Sequence, residues 1–191
     1  MDRMARPPLY DDALRRRLLD VTVEIVDRDG PARVSLRDVA QRAETSTSAV
    51  YSLFGGKGEL LTAVIEEGFA SFSRAQSDAE PEGLRALGIA YRRWALANPA
   101  LYRLMFGGAQ LVHDMHSSGT AMAPSALLPL ARTLAATASI DDEGLRNAIT
   151  VWAQVHGAVS LELAGVVPVQ IDADAVYETV LDTIERAFPP R

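Results

Sequence analysis

Between Thr45 and Leu60 the chain reads TSTSAVYSLFGGKGEL, a run of hydroxyl side chains followed by a glycine pair and Lys57. Lys57 is the sole lysine; every other fixed cationic side chain is an arginine. On a helix, Val50 and Leu53 lie at i and i+3 and pack inward with Phe54. Thr47, Ser48, Tyr51 and Ser52 are then left on the outer face, with Ser46 at the helix start. Short hydroxyls both donate and accept, and a tyrosine reaches further, to a phosphate or a base edge. Lys57 falls at the start of the next helix, where unpaired backbone N–H groups and the helix dipole favour an anion. A compact ammonium on a flexible stem suits a phosphate anchor where bidentate geometry is not needed. The chemistry implied is recognition of a polyanion.

Other chemistries have weaker support. His113 and His116 flank Asp114 at i and i+3, a spacing compatible with a metal, but two histidines and one aspartate make a thin ligand set and a polar loop explains them as well. The chain has three histidines and no cysteine, which excludes disulfides and thiolate metal sites and argues against a His-assisted hydrolase. GGKG is too short for a Walker phosphate loop, and no strand precedes it. No enzyme activity, cofactor or metal is expected.

The elements that must hold these residues read almost entirely as helix. Leu14, Leu18, Leu19, Val21, Ile25 and Val26 form one buried stripe that stops at Gly30. Ser35 is the expected N-cap of the next helix, with Asp38 completing a near capping box; Leu36, Val39 and Ala40 face inward. Helices at about 36–43 and 47–53, joined by three or four residues, have helix-turn-helix dimensions, with Ala40 small enough for close approach. An amphipathic helix follows the glycines, and SDAEPEG, at 77–83, is a polar break. Further helices are expected at roughly 81–98, 99–107 (opened by Pro99), 124–138, 141–164 and 173–187. The fold class is therefore all-α with about nine helices. The domain plan is a helix-turn-helix domain at 1–57, a linking helix at 58–76 and a second helical domain at 77–191.

Two groups stand out in that second domain. Tyr91, Trp94, Tyr102, Met105 and Phe106 form an aromatic and thioether set on neighbouring helices. Trp152 and His156 lie i and i+4 on one helix face, beside Gly157, which admits a close neighbour. Together they would line a mostly apolar pocket with a few polar handles, or simply fill a core, with His156 a satisfied core histidine. The last two helices carry broad apolar faces and suit a four-helix interface between two copies.

Net charge is −6, which at first sight disfavours nucleic acid. Its distribution does not: residues 1–57 hold 10 Arg/Lys against 9 Asp/Glu, and the remaining residues hold 9 against 16. The acid is concentrated away from the hydroxyl-rich segment. No apolar run approaches the ~20 residues of a membrane span, and MDRMARPPLYDDALRRR lacks a signal-peptide core. A soluble, cytoplasmic protein with no membrane partner is expected.

VSLRDVAQRAETSTSAVYSLFGGKGELL resembles the DNA-binding domain of tetracycline-repressor (TetR) family regulators over about residues 11–57. The shared pattern is a Ser or Thr start, a small-residue turn, an aromatic close to the recognition helix, and a lysine before an acidic-Leu pair. Three departures are visible: Glu44 stands where glycine is usual, Gly58 follows Lys57 where an acid is common, and Ser52 and Leu53 replace bulkier residues. The resemblance implies that Tyr51 and Lys57 grip phosphates, that Thr47 and Ser48 lie near base edges, and that Ser35 donates to a phosphate. Arg37 and Arg42 are candidates for flanking contacts or, equally, solvated surface charges, and Arg3 and Arg6 either form an arm that reaches the minor groove or, the favoured reading, do not touch DNA. YRRWALANPALYRLMFGG and VWAQVHGAVSLEL resemble a C-terminal ligand-sensing and dimerising domain of the same family, marked by Trp152, His156 and Gly157. The expected function is a homodimeric, ligand-responsive regulator of double-stranded operator DNA, a repressor released by a small molecule. The alternative is a helical small-molecule-binding protein, or an activator that does not work by operator release.

Overall fold

The structure, a computed structural model, describes residues 12–106, 119–135 and 141–189. Among them are nine α-helices and no strand. The helices are α1 (Asp12–Asp29), α2 (Leu36–Arg42), α3 (Thr47–Phe54), α4 (Lys57–Ala79), α5 (Leu84–Ala97), α6 (Pro99–Phe106), α7 (Gly119–Leu134), α8 (Asp142–Leu163) and α9 (Ala173–Ala187). Short 3-10 turns occupy Pro31–Arg33 and Glu80–Glu82. The chain forms two compact units. The described part of the first comprises 12–67 and 100–106, so it takes in the start of α4 and nearly all of α6; the rest belongs to the second.

In the first unit, the apolar stripe predicted for α1 is buried at Leu18, Leu19, Val21, Ile25 and Val26. Thr22 is buried among them because its hydroxyl donates to the Leu18 carbonyl at 2.7 Å, which removes the cost of an unpaired polar group. Val39, Ala40, Ala43, Ala49 and Val50 pack the short helices, and Leu60, Leu61 and Val64 close the core from α4. Each buried Val or Leu side chain among these contributes roughly 1.5–3 kcal/mol over leaving it exposed. Gly30, at φ +81°, ends α1, and Gly55, at φ +94°, ends α3 by donating its N–H to the Tyr51 carbonyl at 2.8 Å.

The second unit is organised around α5 and α8. α8 packs on α7 and α9, and α5 touches all three. Gly88 lets α5 and α9 approach closely: a Cβ there would run into the Leu181 side chain, and Tyr177 donates to the Gly88 carbonyl at 2.7 Å. Arg92 holds the ends of α8 and α9 together, donating to Glu162 at 2.8 and 2.7 Å and to Asp174 at 2.6 Å, with its guanidinium 5.2 Å from the centre of the Tyr177 ring. Arg85 bonds Asp182, Glu185 and Glu178, all on α9.

Several boundaries differ from the sequence expectation. α7 begins at Gly119 and runs through Pro124 and Pro129. The sequence analysis placed this helix at roughly 124–138, so its start lies about a turn earlier than expected. The polar break at 77–83 is the end of α4, a 3-10 turn and Gly83 at φ +90°. α8 and α9 begin at aspartate caps, Asp141 accepting from Gly144 N at 2.7 Å and Asp172 from Asp174 N at 2.9 Å.

Candidate nucleic-acid interface and effector site

α3 is amphipathic on a small scale. Ala49 and Val50 are fully buried beneath it, whereas Ser48, Tyr51 and Ser52 are exposed, Tyr51 to 56 %. Thr47 is half-buried. Leu53 and Phe54 are half-buried rather than sealed in, and Arg15 lies 5.4 Å from the Phe54 ring centre. Ser46 is the N-cap of α3: its Oγ accepts from Ala49 N at 3.1 Å. The turn before it contains Glu44 at φ +53°, the one non-glycine residue with positive φ among the described residues. A side chain thus occupies a left-handed position that glycine adopts without strain.

Ser35 departs from the expected capping box. It sits at the N-cap of α2, but its hydroxyl makes no capping bond. Asp38 does not complete the box either, because its carboxylate takes the Arg42 Nε at 3.1 Å, one turn further along the helix. Arg42 is therefore already paired with an acid, whereas Arg37 is exposed. Lys57, half-buried at the start of α4, donates from Nζ to the Ala32 carbonyl at 2.9 Å. Ala32 is the missed member of this constellation. It is a small residue 25 positions away that offers only a backbone acceptor, and no spacing rule signals it. Arg3 and Arg6, and the His113–Asp114–His116 cluster, lie outside the described residues.

The second unit brings Tyr91, Trp152 and His156 together. The Tyr91 oxygen lies 2.9 Å from His156 Nδ1 and accepts from Trp152 Nε1 at 3.3 Å. The Trp152 and His156 rings are 5.3 Å apart. Two tautomers fit: the phenol donates to a bare Nδ1, or Nδ1–H donates to the phenol oxygen. Burial pushes the His156 pKa below its ordinary value, favouring the neutral ring. Trp94 donates to Ser71 Oγ at 3.1 Å. Phe72, which the sequence reading did not select, stands edge-on to both Tyr91 and Trp94, each ring 5.3 Å away. Its signal was present as one more apolar position on the α4 stripe. Tyr102, Met105 and Phe106 lie on α6 in the first unit, the first two buried, with the Tyr102 and Phe106 rings 5.0 Å apart.

The second unit also carries an open groove of about 920 Å³ whose lining includes Glu82, Arg85, Thr133, Glu143, Asn147 and Glu185. None of the ligand residues expected from sequence lines it, and its carboxylates make it unlike an apolar ligand cavity. Among the described residues there is no group of three His, Asp or Glu able to hold a metal, and no helix long and apolar enough to cross a membrane.

Comparison with known proteins gives matches over most of the chain. Residues 18–64 match the family model for bacterial regulatory proteins of the tetR family, and residues 84–184 match the tetracyclin repressor-like C-terminal domain. The HTH-type transcriptional regulator Rv1816 of Mycobacterium tuberculosis strain H37Rv is 26% identical over 189 residues, covering 79% of this chain and 77% of that protein. The crystal structure of SCO4313, described as a regulatory protein, superposes with a TM-score of 0.79 at 25% identity, over 90% of this chain and 95% of that one. PfmR, a TetR family transcriptional regulator from Thermus thermophilus, shares the fold with a TM-score of 0.66 at 20% identity, over 89% and 97% of the two chains.

Proposed function

The chain belongs to the TetR family of DNA-binding transcriptional regulators, and from that premise we propose that it is a homodimeric repressor that a small molecule releases from its operator. The observation that carries this reading is the outer face of α3, where Ser48, Tyr51 and Ser52 stand exposed over a buried Ala49 and Val50. Thr47 and Ser48 contact base edges. Tyr51, Lys57 and Ser35 hold phosphates, with Ser46, Ser52 and Arg37 around them. Residues 1–57 form the DNA-binding domain, 58–76 the linking helix, and 77–191 the effector-binding and dimerisation domain. The protein acts in the cytoplasm, by binding alone.

The effector contacts Tyr91, Trp94, Trp152 and His156, a set rich in aromatic surface with hydroxyl, imidazole and indole handles. Dimerisation uses the exposed faces of α8 and α9. Leu145, Ile149 and Leu161 are exposed on α8 and Val176 on α9. The neighbouring hydroxyls of Thr179 and Thr183 donate to the carbonyls of Ala175 and Thr179, both at 2.8 Å, so that this face has few groups that water must satisfy. In a dimer the two α3 helices would sit about 34–36 Å apart and meet successive major grooves. An effector that binds better to a state with another spacing draws the protein off DNA, and DNA must weaken effector binding by the same factor.

Fluorescence anisotropy tests this reading, with duplex DNA from the gene's own upstream region and from a genomic-fragment selection, at two salt concentrations. Selective binding that weakens with salt, and is lost in Tyr51→Ala, is the expected result. A protein that selects no fragment is not an operator-binding regulator, and one whose bound DNA is retained when effector binds does not act by release.

A further inference from the structure

Arg33 closes the 3-10 turn Pro31–Arg33, and its side chain is exposed. The turn is fixed at three points. Gly30 turns the chain at φ +81°, Val34 is buried immediately after it, and the Lys57 ammonium bonds the Ala32 carbonyl at 2.9 Å. The Ala32 carbonyl and the Arg33 N–H belong to one peptide plane, so a bond that holds the first orients the second. Ala32 takes one of the three ammonium protons of Lys57, and the others remain for acceptors on the same surface.

The arginines nearby differ in how far they are neutralised. Arg28 bonds Asp29 from Nε at 2.9 Å and from its terminal nitrogen at 2.5 Å, and Arg42 bonds Asp38. Among the described residues no carboxylate hydrogen-bonds Arg33. Asp29 feels its charge only through space and after those of Arg28 and Arg42. A guanidinium with no carboxylate hydrogen-bonded to it, next to a residue held by an ammonium, leaves positive charge that a bound polyanion would neutralise. Ser35, two residues further on, adds an exposed hydroxyl not committed to capping.

We propose that Arg33 is a further phosphate-binding residue of the DNA surface, and that Lys57 is its positioning residue through the Ala32 carbonyl as well as a phosphate ligand in its own right. This rests on the operator-binding reading above. Lys57 is thus worth more than one charge to binding. Its loss removes one of the three restraints on the turn that carries Arg33.

The experiment measures the salt dependence of binding to the selected upstream duplex for the parent protein, Arg33→Gln, Arg33→Lys, Lys57→Gln, the Arg33→Gln/Lys57→Gln double variant and Arg93→Gln, a control at an exposed site on α5. Thermal melts confirm that each variant is folded. Each phosphate contact contributes about 0.9 to the log–log slope. Arg33→Gln should lower the slope by about one unit with Arg33→Lys restoring it, Lys57→Gln should lower it by between one and two, and the double variant should lose less than the sum of the two single losses. A parent slope in Arg33→Gln overturns the phosphate role while operator binding stands. Losses that simply add overturn the positioning role. If Lys57→Gln and Arg33→Gln both keep the parent slope, the proposal falls together with the assignment of this surface to DNA.

Discussion

The phenol of Tyr91 on α5 and the imidazole of His156 on α8 meet at 2.9 Å, and the same phenol oxygen accepts from Trp152 one helical turn before the histidine. One hydroxyl therefore serves two side chains on the neighbouring helix, and Tyr91 is itself buried. Tyr91→Phe keeps the ring packed against Phe72 and removes only that oxygen. Loss of a buried, doubly used group should lower stability by about 1–2 kcal/mol, read as a shift in urea midpoint at unchanged m-value. Effector affinity should fall in the same variant, whereas DNA affinity without effector should stay at the parent value.

Protonation acts on the same pair. Burial holds the His156 pKa below that of an unfolded histidine, so the unfolded state takes up its proton first as pH falls. Stability from this group is complete above an unfolded pKa of about 6.5 and declines below it, by at most about 1.4 kcal/mol per pH unit. Denaturant midpoints between pH 8 and 5 should show this decline. His156→Gln should flatten the part due to this residue; a profile unchanged by the substitution would show that another group is responsible.

Two serines at helix starts should behave oppositely. Ser46 caps α3 through Ala49 N, so Ser46→Ala should cost about 1 kcal/mol of stability. Ser35 makes no such bond, so Ser35→Ala should leave the melting temperature at the parent value and weaken DNA binding instead. Calorimetry and anisotropy on the two variants separate a capping hydroxyl from a DNA-facing one.

Glu44 holds a left-handed conformation in the turn between α2 and α3. Glycine has no Cβ to strain there, so Glu44→Gly should stabilise the protein by up to about 1 kcal/mol after the added chain entropy of the unfolded state is subtracted. A rise in melting temperature checks it. A fall would mean that the side chain compensates for its own backbone.

The sequence was most informative where structure follows a local rule. The α1 stripe, the buried Val39, Ala40 and Val50, the exposed Ser48, Tyr51 and Ser52, and the pairing of Trp152 with His156 on one face all follow from helical periodicity. A misreading arose where two local rules competed. Asp38 had either Ser35 or Arg42 within reach and bonded Arg42. Contacts between distant segments left no local trace. Lys57 could be singled out by its rarity, but its bond to Ala32, like the bond between Tyr91 and His156, depends on packing that brings together residues 25 and 65 positions apart.

The bond between Lys57 and Ala32 also bears on how the protein is handled. With one lysine in the sequence, Nζ of Lys57 is the single side-chain amine open to acylation, whether by a succinimidyl dye, an amine-coupled sensor chip or an acetyltransferase. An acyl group there removes the positive charge and leaves one N–H where there were three. It would weaken the charge-assisted tie to the turn and discharge the proposed phosphate anchor in one step. A protein immobilised through its side-chain amine would then bind DNA poorly because of the attachment chemistry, and a tag placed elsewhere would restore the signal.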